Sequence, residues 1–448
     1  MDSTEWNPET WRRRPCAQAP PYPDKKALED AARRLADFPP LVTSWEIERL
    51  KSLIADAQEG KRFVLMGGDC AEMVANCRSA KIAAKLKIML QMSMVLVHGL
   101  HRPIVRLGRF AGQYAKPRSK ATEVRDGVEL PSYFGDLVNR FPFDAASRAP
   151  DPENLITCYH HASLTLNFIR ALVEGGFADL HHPEQWDMSF AKSAGLRPEQ
   201  REHYEHMSQN LADGLKLMEA LGEARIEELN RVDFYTSHEG LNLHYESAQT
   251  RQVPRREGYY NLSTHLPWIG ERTRQLDGAH VELFRGILNP IGVKLGPTAT
   301  PGEAHALAER LNPHNEPGRL MLITRFGADK VVECLPPLID AIGDRPVLWV
   351  CDPMHGNTRS TESGVKTRSF DAILAELEAV IDVHKQKGTW LGGVHFELTG
   401  EDVTECVGGA GGPTEDQLHV NYDSTCDPRL NYQQSLELAF VLARAIPQ

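Results

Sequence analysis

The stretch Pro346-Val347-Leu348-Trp349-Val350-Cys351-Asp352-Pro353-Met354-His355-Gly356 decides the fold class. An apolar run with strand character stops at a polar turn that holds out one imidazole. Gly392-Gly393-Val394-His395-Phe396-Glu397-Leu398 repeats the design with a carboxylate at its end, and Phe63-Val64-Leu65-Met66-Gly67-Gly68-Asp69-Cys70 repeats it with a thiol. Apolar strands that deliver reactive side chains at their C-terminal ends are how a (β/α)8 barrel builds an active site. Three such endings predict one shared mouth.

Outward from these stretches the same alternation continues. Further strands are expected at 103–107, 233–237, 259–263, 290–297 and 320–324, which makes eight with the three above. Helical spacing covers 82–100, 153–172, 370–381 and 431–445. Thr300-Pro301-Gly302-Glu303 reads as a helix start, with an N-cap, a proline at the first position and a glutamate at the third. Eight strands alternating with helices in this order are what a closed parallel barrel, a TIM barrel, requires. Residues 1–60 precede the first strand and form an N-terminal helical extension of assembly or regulatory character. It contains helices at 25–38 and 44–57, the second opened by a capping box of Thr43 and Glu46. Trp11-Arg12-Arg13-Arg14-Pro15 reads as a solvated or inter-subunit arm. The catalytic barrel is expected over 61–448. The connection 118–232 is too long for one βα unit. It reads as a loop over 121–150, a helix, a His181-His182 surface loop, and inserted helices at about 176–232 in the β2–β3 region.

Composition narrows the function classes. The 448 residues are 41% hydrophobic and 25% charged, ordinary for a globular protein. A net charge of −11 argues against nucleic acid and anionic membranes as partners, so an anionic ligand must be held by a local basic cluster. The chain opens without a basic segment followed by an apolar one, and the longest apolar stretch, 88–97, is too short to span a bilayer. Eight scattered cysteines suit a reducing compartment rather than a disulfide scaffold. The expectation is a cytoplasmic protein.

Two sets of side chains carry chemistry. Cys70, His355, Glu397 and Asp427 offer a thiolate, an imidazole and two carboxylates, a mixed donor set suited to Mn²⁺, Co²⁺, Fe²⁺ or Zn²⁺. Arg109, Lys116, Arg118, Arg272, Lys294 and Arg325 stand at strand ends or in the loops that follow them. A buried arginine or lysine there costs desolvation unless it meets an anion. So many cations around one opening, in an acidic chain, point to a ligand with more than one anionic group.

These blocks closely resemble type II 3-deoxy-D-arabino-heptulosonate 7-phosphate (DAHP) synthase. The resemblance rests on Gly67-Gly68-Asp69-Cys70-Ala71-Glu72, on Gly108-Arg109-Phe110-Ala111-Gly112-Gln113-Tyr114-Ala115-Lys116-Pro117-Arg118-Ser119 and on Trp268-Ile269-Gly270-Glu271-Arg272-Thr273-Arg274. It rests equally on Gly292-Val293-Lys294-Leu295-Gly296-Pro297, Cys351-Asp352-Pro353-Met354-His355-Gly356-Asn357-Thr358 and Thr425-Cys426-Asp427-Pro428-Arg429-Leu430. It runs from about Trp6 to the C-terminus. The resemblance implies condensation of phosphoenolpyruvate with D-erythrose 4-phosphate and water, the first step of the shikimate pathway toward chorismate and the aromatic amino acids. It implies that Cys70, His355, Glu397 and Asp427 hold a divalent metal, Mn²⁺ or Co²⁺ before Fe²⁺ or Zn²⁺. Arg272, Lys294 and Arg325 would take the phosphoenolpyruvate phosphate, with Arg109 on its carboxylate. Lys116, Pro117 and Arg118 would meet erythrose 4-phosphate, and Glu271 would orient the attacking water. Cys426, next to Asp427, is either a redox partner for Cys70 or an inert buried thiol.

The resemblance also implies a homo-oligomer, dimer or tetramer, with feedback by an aromatic amino acid (tryptophan foremost) through the extension and the 195–232 insertion. Two other readings compete: a synthase for a related aldose phosphate, such as 3-deoxy-octulosonate 8-phosphate, and a non-catalytic paralogue that binds a partner such as chorismate mutase. The paralogue predicts a damaged metal or cation set, and here every position is intact.

Overall fold

The computed structural model describes residues 5–174, a few positions between 202 and 213, 233–409 and 412–446. Eight parallel strands close into a barrel: β1 (Phe63–Gly68), β2 (Ile104–Arg109), β3 (Tyr235–Glu239), β4 (Leu266–Ile269), β5 (Ile291–Leu295), β6 (Leu320–Thr324), β7 (Val347–Cys351) and β8 (Gly393–Glu397). Each strand pairs with its sequence neighbours, and β8 returns to β1 through Val64 opposite Gly393 and Gly68 opposite Glu397. The expected barrel is therefore present. The inserted helices at about 176–232, and with them His181-His182, lie outside the described residues except for those few positions.

The alternation of side chains along the strands explains how apolar strands end in a charged mouth. Val64 and Met66 of β1, Val105 and Leu107 of β2, Tyr235 of β3, Leu266 and Trp268 of β4, Met321 and Ile323 of β6, and Leu348 and Val350 of β7 form one core inside the barrel. The alternate residues, such as Phe63, Leu65, Leu322 and Trp349, pack outward with the helices. Continuing the inward parity reaches Arg109 on β2, two residues after Leu107, and Glu239 on β3, four after Tyr235. On β5 and β8 the same parity selects Lys294, His395 and Glu397. The apolar residues fill the lower layers, and charge enters only at the C-terminal rim.

The helix Ser44–Gln58 closes the opposite end. Its Thr43–Glu46 capping box is formed, and its Leu50, Ile54 and Ala57 join the interior core. Gln58 Nε2 donates to the carbonyls of Leu320 and Pro346 at the starts of β6 and β7, and Trp390 Nε1 donates to the Ala57 carbonyl. The other expected helices also appear. Ser79–Leu100, Glu153–Glu174, Phe370–Lys387 and Tyr432–Ala445 surround the barrel, and Pro301–Leu311 carries the expected capping box.

Three sequence expectations need correction. The fourth strand is Leu266–Ile269, not 259–263. Tyr259–Asn261 has the β-favouring residues but pairs antiparallel with Thr250–Gln252 outside the barrel. The true strand was masked by Pro267, which cannot donate to a ladder; it is tolerated here in a strand of four residues, opposite His238. Second, the presumed loop 121–150 contains a hairpin, Thr122–Arg125 with Val128–Pro131, and a short helix, Ala145–Arg148. Its turn is Asp126-Gly127, both with positive φ, the Asp-Gly signature of a tight hairpin. Third, the basic segment near the N-terminus is not a free arm. Trp11 is buried and the Pro15 carbonyl accepts from the Ala279 N–H, while Arg12 and Arg13 face outward.

Ile54→Ala tests the floor. Truncating this fully buried side chain should cost about 2–5 kcal/mol in denaturant unfolding. A loss below about 1 kcal/mol would mean that the helix is not part of the barrel core.

Candidate active site

The C-terminal rim opens into a cavity of about 900 Å³. Every candidate chosen from the sequence lines it: Cys70, Arg109, Lys116, Pro117, Arg118, Glu271, Arg272, Lys294, Arg325, His355, Glu397 and Asp427. They arrive from β1, β2, β4, β5, β6, β7, β8 and the loops after them, so the barrel closure itself brings them together.

The deepest group is Glu397, with no exposed surface. Its Oε2 accepts from Arg368 Nη1 at 2.8 Å. Its Oε1 accepts no hydrogen bond from the described residues, although Arg109 Nη2 and His355 Nε2 each stand 3.1 Å away. Burial alone would raise this carboxyl, but His355, Arg368 and Arg109 hold it well below the usual carboxylate range. His355 Nδ1 meets Asp352 Oδ2 at 2.7 Å, which directs Nε2 toward Glu397. Asp427 completes the group: donor atoms of His355, Glu397 and Asp427 lie within 4.8 Å of one another, as do those of Cys70, Cys426 and Asp427. A buried carboxylate oxygen without a hydrogen, an oriented imidazole, a second carboxylate and a sulfur make a set that fits a divalent transition metal. In the state observed, Cys70 Sγ is bonded to Cys426 Sγ as a disulfide, and Lys366 Nζ pairs with Asp427 Oδ1 at 2.7 Å. Reduction would be needed to free the Cys70 thiolate.

The cations divide by how they are held. Arg109 is buried, with Nη2 donating to the Cys70 carbonyl at 2.8 Å, Nη1 2.9 Å from His395 Nε2 and its guanidinium 5.2 Å from the centre of the Trp268 ring. Lys294 is paired with Asp352 Oδ2 and also lies over Trp268. Burial pulls its pKa down, opposed by Asp352. Arg325 donates from Nη2 to the His355 carbonyl, tying the β6 and β7 loops together. Arg272 is exposed and donates to Ser119 Oγ. Lys116 is different: it is buried, and its Nζ finds no acceptor among the described residues. Burial, with Lys366 and Arg118 nearby, lowers its pKa to about 8 against the pull of Asp427. Arg118 is committed to Glu123 at 2.6 Å, so Lys116 is the freer cation at this end.

Behind the lining, the Asp69 and Glu72 carboxylates keep the loops in place. Glu72 accepts the backbone N–H groups of Ala111, Gly112 and Gln113, and Asp69 pairs with Lys85 and Arg429. The two carboxylates of the Gly67-to-Glu72 block thus shape the loop that carries Lys116.

Glu271 lines the cavity and is also bonded to the chain. Glu271 Oε2 accepts from Gly296 N–H and Arg274 Nε, and Oε1 accepts from Thr298 Oγ1 and Arg274 Nη2. Those four bonds hold the carboxylate in place at the cavity wall. The carboxylate that does face the cavity free is Glu239, whose Oε1 has no hydrogen-bond partner among the described residues. Burial raises its pKa, with Lys294, His355 and Arg109 opposing. The sequence reading passed over Glu239; the inward parity of Tyr235, two turns of the pleat earlier, was the available signal. Asp352 and Trp268 lay inside quoted motifs without a role. Lys366, on the hairpin Thr358–Ser360 with Lys366–Arg368, carried no local signal.

Comparison with known proteins places this geometry. The Class-II DAHP synthetase family matches residues 6–443. The chain is 46% identical over 98% of its length to phospho-2-dehydro-3-deoxyheptonate aldolase of Neurospora crassa, covering 94% of that protein. It is 48% identical over 97% of its length to the protein of that name from Streptomyces coelicolor, covering 96% of it. A third relative, phospho-2-dehydro-3-deoxyheptonate aldolase AroG of Mycolicibacterium smegmatis, is 45% identical over 97% of this chain and 93% of its own.

The state of Lys116 makes a pH prediction. A lysine titrating at about 8 is charged below that pH and neutral above it, so anion affinity at its end of the cavity should fall as pH rises past 8. Titrating erythrose 4-phosphate into the protein between pH 7 and 10 should show this loss, roughly up to tenfold per unit. Lys116→Arg, which stays charged, should flatten the profile; an unchanged slope would exclude Lys116 as its source.

Proposed function

The chain belongs to the class-II DAHP synthetase family, and from that premise we propose how its barrel mouth works. The protein is a DAHP synthase: it joins phosphoenolpyruvate to D-erythrose 4-phosphate, with water, giving 3-deoxy-D-arabino-heptulosonate 7-phosphate and phosphate at the first step of the shikimate pathway. The observation that carries the residue-level reading is that the metal-capable cluster and the cations line one cavity.

Both substrates are anions, and holding them together is first an electrostatic problem. Arg272, Lys294 and Arg325 bind the phosphoenolpyruvate phosphate, and Arg109 binds its carboxylate, flat against Trp268. Lys116 takes the phosphate of the sugar, with Pro117 shaping the wall and Arg118 held back by Glu123. Carbon 3 of phosphoenolpyruvate then adds to the aldehyde, water adds at carbon 2, and phosphate leaves. Cys70, once reduced, with His355, Glu397 and Asp427 would hold Mn²⁺ or Co²⁺. That ion would supply Lewis-acid polarisation of the aldehyde oxygen, a contribution of several kcal/mol in such sites. Glu239 faces the end of the cavity where Lys294 and Arg109 sit, and a carboxyl with a raised pKa there can hold the attacking water and take its proton. Glu271 instead fixes the loops after β4 and β5, placing Arg272 indirectly. Aromatic amino acid feedback, a dimeric or tetrameric assembly and a chorismate mutase partner extend this reading to surfaces that the cavity does not reach. No helix among the described residues is long and apolar enough to cross a membrane.

The assay follows loss of phosphoenolpyruvate absorbance. Chelated protein should be inactive; reduced protein given Mn²⁺ or Co²⁺ should consume phosphoenolpyruvate only when erythrose 4-phosphate is present, and oxidised protein should regain less. Turnover of arabinose 5-phosphate instead would move the substrate assignment, and folded protein inactive with every metal would overturn the catalytic reading. Glu239→Gln should lower kcat by about 10²–10⁴-fold with the KM for phosphoenolpyruvate little changed. A normal kcat would remove Glu239 from the chemistry.

A further inference from the structure

Glu376 is a fully buried carboxylate on the helix Phe370–Lys387 that does not line the cavity. Its Oε1 accepts the backbone N–H of Phe326 at 2.8 Å, the residue directly after Arg325. Its Oε2 accepts from Asn357 Nδ2 at 2.8 Å, two residues after His355. Asn357 in turn donates to the Pro353 carbonyl at 2.8 Å and accepts from the Ala328 N–H at 3.2 Å. One carboxylate and one amide therefore lock the loop after β6, the loop after β7 and the helix behind them. The loops touch backbone to backbone: a Cβ added at Gly356 would come 2.1 Å from Gly327 N. On the cavity side the same two loops meet again, where Arg325 Nη2 donates to the His355 carbonyl at 2.9 Å.

We propose that Glu376 is a positioning residue that sets the Arg325 guanidinium for the phosphate of phosphoenolpyruvate, acting through Phe326 and Asn357 rather than by touching substrate. The inference rests on the proposed function in assigning Arg325 to that phosphate. A carboxylate in this place is costly. Burial pushes its pKa up to about 7 in spite of the N–H groups of Phe326 and Gly327 that favour the charged form. An apolar side chain would fill the volume at less cost but could not accept from both loops. Glutamine keeps the shape and the bond to Phe326, yet turns an N–H₂ toward the N–H₂ of Asn357, donor against donor.

The test is Glu376→Gln, read by calorimetric binding of phosphoenolpyruvate and by steady-state kinetics. The Kd and KM for phosphoenolpyruvate should rise about tenfold, as expected when a charge-assisted bond to the phosphate is partly lost, with the KM for erythrose 4-phosphate within about twofold of wild type. Asn357→Ala removes the same link from its other side and serves where Glu376→Gln fails to fold. The double variant should be no worse than the more damaged single one, because both act through one contact. Unchanged phosphoenolpyruvate affinity in either variant would overturn the positioning role. Equal rises in both KM values together with a lowered Tm would also overturn it, leaving only a stability effect. Wild-type protein that binds no phosphoenolpyruvate would instead overturn the reading of the site on which the inference rests.

Discussion

The mouth of this barrel depends on the cost of burying charge. Glu397 is out of solvent, and a carboxylate there is tolerated only because Arg368, Arg109 and His355 stand against it. From that centre the compensation spreads: His355 leans on Asp352, Asp352 also holds Lys294, and Arg325 ties back to the His355 carbonyl. Each charged group fixes the orientation of the next. The result is a preorganised surface whose charged groups are already oriented before any ligand arrives.

Such a network needs a rigid frame, and the barrel supplies it from both ends. Apolar side chains fill the lower layers and the helix Ser44–Gln58 seals the floor. Water is thereby kept from the interior below the charges, which strengthens their mutual interactions. Above, the loops are held by carboxylates: Glu72 under the loop carrying Lys116, Glu271 at the cavity wall between the loops after β4 and β5, and Glu376 behind those after β6 and β7. The site has an inner ring that lines the cavity and an outer ring that keeps the inner one in place. The Cys70–Cys426 bond lies among the residues that line the cavity, so the oxidation state of this pair sets whether the Cys70 sulfur is open to the cavity as a thiolate.

Much of this was legible in the chain. The endings at Cys70, His355 and Glu397 announced a barrel mouth, because a strand's direction and its two-residue period are local properties. The capping boxes at Thr43 and Thr300 were readable for the same reason. The fourth strand was missed because Pro267 breaks the local strand signal, while neighbouring strands, which sequence alone does not display, supply the pairing that overrides it. Glu271 stands beside Arg272 in the Trp268-to-Arg274 block, and its neighbours in sequence do not display how its oxygens are engaged. Only the contacts of Gly296, Thr298 and Arg274 show that its oxygens are occupied.

By itself the sequence determined which side chains exist at the strand ends, and hence the class of chemistry: sulfur, imidazole and carboxylate beside an excess of cations. Tertiary structure decided which of them are free. Among the described residues Lys116 Nζ has no partner while Arg118 is spent on Glu123, and Glu239 Oε1 is open while both oxygens of Glu271 are bonded to the chain. The physical reason is that the availability of a charged group is set by its partners. Some partners are near in sequence, as Arg118 and Glu123 are, but Arg109 meets Glu397 and Lys294 meets Asp352 only across the barrel, so a local window of sequence does not display which pairs form.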